Sequence, residues 1–313
     1  MKTLDKKAFG EIRSWLHRNG REIECALWQF HFEDGTAEAV LSTLAFYQNE
    51  DGGFGNALEP DSWNPDSSPY TTLYAITLLR GIRFTDTSHP VYQGIFRFLE
   101  NGMHSTEKSW LFSIPSNDAC PRAPWWTYNE ASNETESVGV TAGLAGFILR
   151  YGDVNSALYE KALDCTQDVI DKLNGPGPYG DMGIGEGVSL LADMETSGAA
   201  NKFDGPGLAG RLAGLMENTV ERDPSKWTAY NAKPSLYIGS PDSVFFPAFK
   251  ELVSAELDFI IDTRRPGAVW DIPWNWFEHA GKYAREWAIS ENWWKSVKAI
   301  EKTLLLRDFG RVQ

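Results

Sequence analysis

The chain has 313 residues, with 43 Asp and Glu against 29 Lys and Arg, a net charge of −14 and a pI near 4.8. This balance disfavours a nucleic-acid backbone or an anionic membrane surface as partner. Its 13 Trp, 17 Phe and 11 Tyr must line something, whether core or pocket. Three cysteines, Cys25, Cys120 and Cys165, are odd in number and lack any C-x-x-C spacing, so neither a disulfide framework nor a zinc-knuckle motif is readable. The segment Met1 to Lys7 has no apolar leader core, and no stretch reaches the ~20 apolar residues of a membrane span. The expectation is a cytoplasmic protein with no membrane span, no metal site and no cofactor.

From Lys6 to Asn19, Phe9, Ile12, Trp15 and Leu16 recur at helical spacing, and Asn19-Gly20 is a stop signal. Ile23 to Phe32 and Thr36 to Gln48 read as two further helices. Gln48 to Asp61 then forms a glycine-rich corner, in which Gly52, Gly53 and Gly55 permit positive φ while Gln48 and Phe54 can pin the turn. Ser67-Ser68-Pro69 opens a helix through Leu79, with Ser at the cap and Pro in the first turn. His89-Pro90 opens another, through Leu99. Residues 103–135 read as a long irregular segment, which in a compact domain points to a lid or a functional loop.

Ser137 to Tyr151 is rich in Gly and Ala and reads as an inner helix that neighbours can approach closely. Leu158 to Leu173 is amphipathic and ends at a second glycine-rich corner, 174–186. Helices are expected near 183–194 and 208–220, and Asp242-Ser243 is placed as the cap of one that runs through Ile261. A third corner, 264–276, precedes a helix from Tyr283 to Leu306. No sustained period-2 run of β-branched residues occurs, so the class is all-α, with one domain over 1–313.

The corners look like copies of one unit: an amphipathic helix, a Gly-rich turn with an aromatic, then a more apolar helix. The first, Gln48-Asn49-Glu50-Asp51-Gly52-Gly53-Phe54-Gly55, resembles the Q-x-x-D-G-G-W/F-G repeat of squalene and hopene cyclases and of protein prenyltransferase β subunits. The resemblance implies an (α/α)6 toroid of helical hairpins, with loops opening onto a central cavity that takes a small-molecule ligand. The acidic D-x-D-D motif of the cyclases is absent, and no Asp, Cys and His spacing matches the prenyltransferase zinc site. The same toroid also hosts glycoside hydrolases and polysaccharide lyases.

Glu59, Asp61 and Asp66 follow the first corner and surround Trp63. Glu59 and Asp61 are candidate acid/base or substrate-binding groups. Against that stands a helix-dipole role at the start of the helix beginning at Pro69, which is the reading for Asp66. Trp125, Trp126 and Tyr128 could stack on a sugar or stabilise a carbocation, or simply anchor their loop. Trp270 is placed as the plug of the third corner, with Asp271 as a further candidate acid and Trp274 and Trp276 as substrate-binding rings. Tyr179, Asp181 and Glu186 form a weaker set, read as turn and cap chemistry. No phosphate-loop, H-E-x-x-H or G-x-S-x-G sequence is present.

The leading functional reading is acid/base chemistry on an apolar or isoprenoid-like small molecule in an aromatic cavity. Its rivals are a carbohydrate-active hydrolase or lyase and a non-catalytic ligand- or partner-binding toroid.

Overall fold

In the computed structural model, which describes residues 1–313, every regular element is helical, and β-type pairing is confined to isolated bridges. The all-α class read from the sequence is therefore the observed one. The helices are α1 (Lys6–Asn19), α2 (Glu22–Phe32), α3 (Ala37–Leu44), α4 (Pro69–Gly81), α5 (Pro90–Glu100), α6 (Glu130–Tyr151), α7 (Ala157–Asn174), α8 (Gly183–Ser197), α9 (Gly205–Thr219), α10 (Phe246–Thr263), α11 (Glu278–Lys282) and α12 (Ala284–Asp308). No helix is long and apolar enough to cross a membrane. The chain divides into two compact units, one of residues 1–43 with 219–313 and the other of residues 44–218.

In the first unit the two ends of the chain meet. Leu4 pairs with Val312, its N–H donating to the Arg311 carbonyl at 2.7 Å. The helix α1 starts at Asp5, whose carboxylate accepts from the Ala8 N–H at 2.7 Å. It buries Ala8, Ile12 and Leu16, a strict i, i+4, i+8 stripe. Trp28 of α2 is fully buried against the rings of Phe9 and Phe32, 5.2 and 4.4 Å away. α12 packs across both α1 and α2.

In the second unit α6 is the axis, packed by α8, α7 and α4. Every residue from Ser137 to Leu149 is buried. Its Gly139, Gly143 and Gly146 form the stripe that admits α8. A Cβ on Gly139 would lie 2.5 Å from that of Met182, and one on Gly146 would lie 2.8 Å from the Asp193 carboxylate. Close approach is thus built into α6, as its composition suggested.

Three boundaries depart from the sequence reading. α6 begins at Glu130, capped by Asn129, rather than at Ser137. Its first two turns are polar and mostly solvated, so apolar periodicity cannot reveal them; only Asn133 is buried there, and it exchanges two hydrogen bonds with the Ser113 backbone. α10 begins at Phe246, after a turn in which the Ser243 hydroxyl accepts from the Phe245 N–H, so Asp242-Ser243 is not its cap. The segment 36–48 breaks into α3 and a single 3-10 turn that delivers the chain into the first corner.

Candidate functional site

The first corner is a rigid building element. The Gln48 amide donates to the carbonyls of Gly52 and Val91 at 2.9 and 3.0 Å, and Phe54 is fully buried. The Asp51 carboxylate accepts from the Gly53 N–H at 2.9 Å and from the Ser67 hydroxyl at 2.7 Å, so it serves the turn. Gly52 has φ +93°, and a Cβ there would sit 2.0 Å from the Gly94 carbonyl oxygen of α5. Only glycine fits.

Beyond the corner, residues 56–68 dock on the segment 110–128. The Trp63 N–H donates to the Pro121 carbonyl at 3.0 Å, and the Ala123 N–H donates to the Asp61 carbonyl at 2.9 Å. The Asn64 amide reaches Ser116 and Asn117 at 2.9 and 2.8 Å. Arg122, itself buried, donates to the carbonyls of Asn117, Asp118 and Cys120 and pairs with the Asp118 carboxylate at 2.8 Å. The segment predicted to be a lid is thus ordered by a dense set of polar contacts to the first corner's tail.

Glu59 and Asp61 are both buried at the centre of this junction, 2% and 1% exposed. The Glu59 carboxylate accepts from the Asp61 N–H at 2.9 Å, the geometry of a side chain closing its own turn. Asp66 is exposed and its N–H is held by the Asn64 side chain. Trp63 and Tyr128 are half-buried, Tyr128 through its N–H on the Asp118 carboxylate. The Trp125–Trp126 pair does not make one wall. Trp126 is buried with Tyr70 and Phe112, at ring separations of 4.3 and 4.5 Å, while Trp125 is exposed.

The remaining expected residues belong to the first unit. Trp270 fills its corner as expected, with its indole N–H on the Ile260 carbonyl at 2.7 Å. Trp276 is fully buried beside Trp287, and Trp274 is half-buried edge-on to Trp294 at 5.3 Å. Asp271 is exposed and held in ion pairs with Arg265 and Lys295. No set of three His, Cys, Asp or Glu side chains is placed to hold a metal ion. The three cysteines are free thiols.

The group with the most unusual surroundings is Glu186, in the first turn of α8. Its Oε2 is fully enclosed and has no hydrogen-bond partner. A Cβ on Gly143 of α6 would lie 2.7 Å from that oxygen and 2.7 Å from the Leu73 methyl of α4, so α4, α6 and α8 all press on one spot. Burial pushes the Glu186 carboxyl above the ordinary range and Asp193 adds to it; Arg80 and a hydrogen bond from the Ser189 side chain oppose this. Two turns on, the Asp193 carboxylate bridges Arg80 and Arg150, the latter at 3.2 Å, and the Arg80 Nε has no partner. At the N-terminal end of the same helices, the Glu136 carboxyl is also raised by burial, although the Asp181 N–H donates to it at 3.0 Å.

From the sequence alone Glu186 reads as a turn or cap residue. The signal that could have found it is the register Met182, Glu186, Leu190, Asp193 on α8, which puts two carboxylates on the face meeting the α6 glycine stripe. Comparison of the chain with family models, with curated proteins and with solved structures gives no match.

Proposed function

We propose that the protein is an acid-catalysing enzyme of the terpenoid cyclase and prenyltransferase kind, built of toroid-forming helical hairpins and acting on an apolar or isoprenoid-like small molecule, with Glu186 as the proton donor. The observation that carries this reading is the enclosed, unpartnered Oε2 of Glu186. A carboxyl held neutral by burial keeps its proton at pH values where an exposed glutamate has lost it, which is what a general acid requires. Its surroundings also provide for the step after transfer. The carboxylate left behind lies within the field of Arg80, whose Nε–H is unspent, and Asp193 keeps that field from stripping the proton beforehand.

Glu59 and Asp61 hold the junction of the two loops in this reading, with the rings of Trp126, Tyr70 and Phe112 as its apolar wall. The carbohydrate alternative draws less support, because Trp126 and Trp276 are both buried against protein rings and offer no free face to a sugar.

The test is a thermal-shift screen of polyprenyl diphosphates against oligosaccharides, followed by product analysis, on wild type, Glu186→Gln and Glu59→Gln. A ligand at about 100 times its Kd adds about 2.7 kcal/mol, and each kcal/mol moves the midpoint of a unit this size by about 2–4 °C. A polyprenyl compound should stabilise wild type and Glu186→Gln alike, and only Glu186→Gln should lose conversion while keeping that shift. Stabilisation by oligosaccharides alone, or normal turnover by Glu186→Gln, overturns the reading.

A further inference from the structure

The first unit contains a second chemical cluster that the proposal above does not use. Although acids outnumber bases 43 to 29 along the chain, the balance is reversed around Lys302 of α12. Lys298 lies one turn earlier on the same helix, and Lys233 comes from the loop before the 234–236 turn. Both act on Lys302 by repulsion. The carboxylates in range are already engaged. Glu301 pairs with Lys298 at 2.7 Å, and Glu256 of α10 is buried and accepts from the Ser235 N–H and hydroxyl at 2.8 and 2.5 Å.

Lys302 itself makes no ion pair, and its ammonium lies 5.3 Å from the centre of the Trp270 ring. The neighbouring Lys233 is spent on neutral acceptors, the Ala229 carbonyl and the Asn231 side chain, at 3.2 and 3.0 Å. Lys298 lies over the rings of Trp294 and Trp274, 5.4 and 6.0 Å from their centres. A half-buried amine flanked by two cations and lacking a carboxylate of its own is the setting that turns a lysine from a surface charge into a nucleophile, with the Trp270 ring left to hold whatever ammonium remains.

We infer that Lys302 is a nucleophilic amine that forms an imine with a small aldehyde or ketone bearing an anionic group, the anion being drawn by Lys298 and Lys233. Burial, then repulsion from Lys298 and Lys233, pushes the Lys302 ammonium down to about 8, with Glu301 and Glu256 opposing. At pH 7 this leaves about one amine in ten neutral, about two orders of magnitude more than an ordinary lysine offers. In the reaction the Nζ lone pair attacks the carbonyl carbon and the C–N bond forms. The proton lost from nitrogen and one from the medium leave with the carbonyl oxygen as water, giving the protonated imine. The step needs no oxidant or reductant.

The experiment uses the full chain and pyridoxal 5′-phosphate, an aldehyde with a phosphate, at equimolar concentration, with borohydride reduction and peptide mapping. Label should concentrate at Lys302, at least about tenfold above exposed lysines such as Lys6, Lys108 and Lys250. Its rate should rise with pH to a midpoint near 8. Lys302→Met should abolish that label. Lys298→Gln, which leaves Lys302 in place, should slow it by removing both the repulsion and the draw on phosphate. Unphosphorylated pyridoxal should label Lys302 more slowly in wild type. Label spread in proportion to exposure, a midpoint near 10, or no response to Lys298→Gln in a chain of unchanged circular dichroism overturns the proposal.

Discussion

Two acids in the same unit, buried Glu59 and half-buried Glu186, place carboxyl oxygens out of reach of solvent in opposite ways. Glu59 sits in a loop and accepts from a backbone N–H two residues on; Glu186 sits on a helix, meets the Ser189 side chain through its carboxyl, and leaves Oε2 against Gly143 without a donor. An enclosed carboxyl oxygen without a donor disfavours the charged form, and burial is the largest cause of the upward shift of Glu186. The first arrangement builds a corner, and the second raises the affinity of the carboxyl for a proton. Burial alone therefore says little about function, and the decisive feature is whether the buried oxygen has a donor.

The comparison breaks most visibly at the corner that carries the Glu59 loop. Gly52→Ala places a methyl 2.0 Å from the Gly94 carbonyl oxygen at φ +93°, a clash of backbone on backbone with no flexible atom to yield. The expected cost is at least about 4 kcal/mol, a large part of the stability of a typical domain. Denaturant unfolding monitored by Trp fluorescence measures it. A loss below about 1 kcal/mol would mean that the corner is pliable and that the loop it delivers is not a rigid junction.

The next effect separates neighbours in sequence. Trp126→Ala empties a site enclosed by Tyr70 and Phe112 and should cost about 3–5 kcal/mol. Trp125→Ala, at an exposed position, should stay within about 0.5 kcal/mol. Paired urea titrations decide this. Equal losses would show that the two rings act as one anchor, as the sequence alone allows.

These outcomes bear on what could be read in advance. The corner 48–55 was legible because much of its chemistry is local, with Gln48 on the Gly52 carbonyl and Asp51 on the Gly53 N–H, although Gln48 and Gly52 also meet Val91 and Gly94 of α5. The positions of Glu59 and Asp61 were legible but their roles were not, since the partner strand of backbone at 121–123 lies about sixty residues away with no marker of the pairing. The start of α6 was hidden by a solvated polar turn, and the alternate fates of Trp125 and Trp126 depend on which ring meets Tyr70. Glu186 becomes meaningful only when a specific glycine, Gly143, is brought against it from another helix.

The smallest effect sharpens the Glu186 side of the comparison through its sign. Its carboxyl titrates higher in the folded chain than in the unfolded one, so the unfolded state loses its proton first as pH rises. Stability from this group is fully present below the ordinary glutamate range and is lost as pH climbs through that range to the raised folded value. Glu186→Gln, neutral at every pH, removes this dependence. The variant should therefore match wild type near pH 4 and gain on it toward pH 8, whereas Glu59→Gln, which alters the acceptor that closes the 59–61 turn, should lose stability. Unfolding midpoints of the three proteins across pH 4–8 provide the check. A Glu186→Gln variant that loses stability at pH 8 would make Glu186 a charged group held by Arg80, and the proton would have to come from elsewhere.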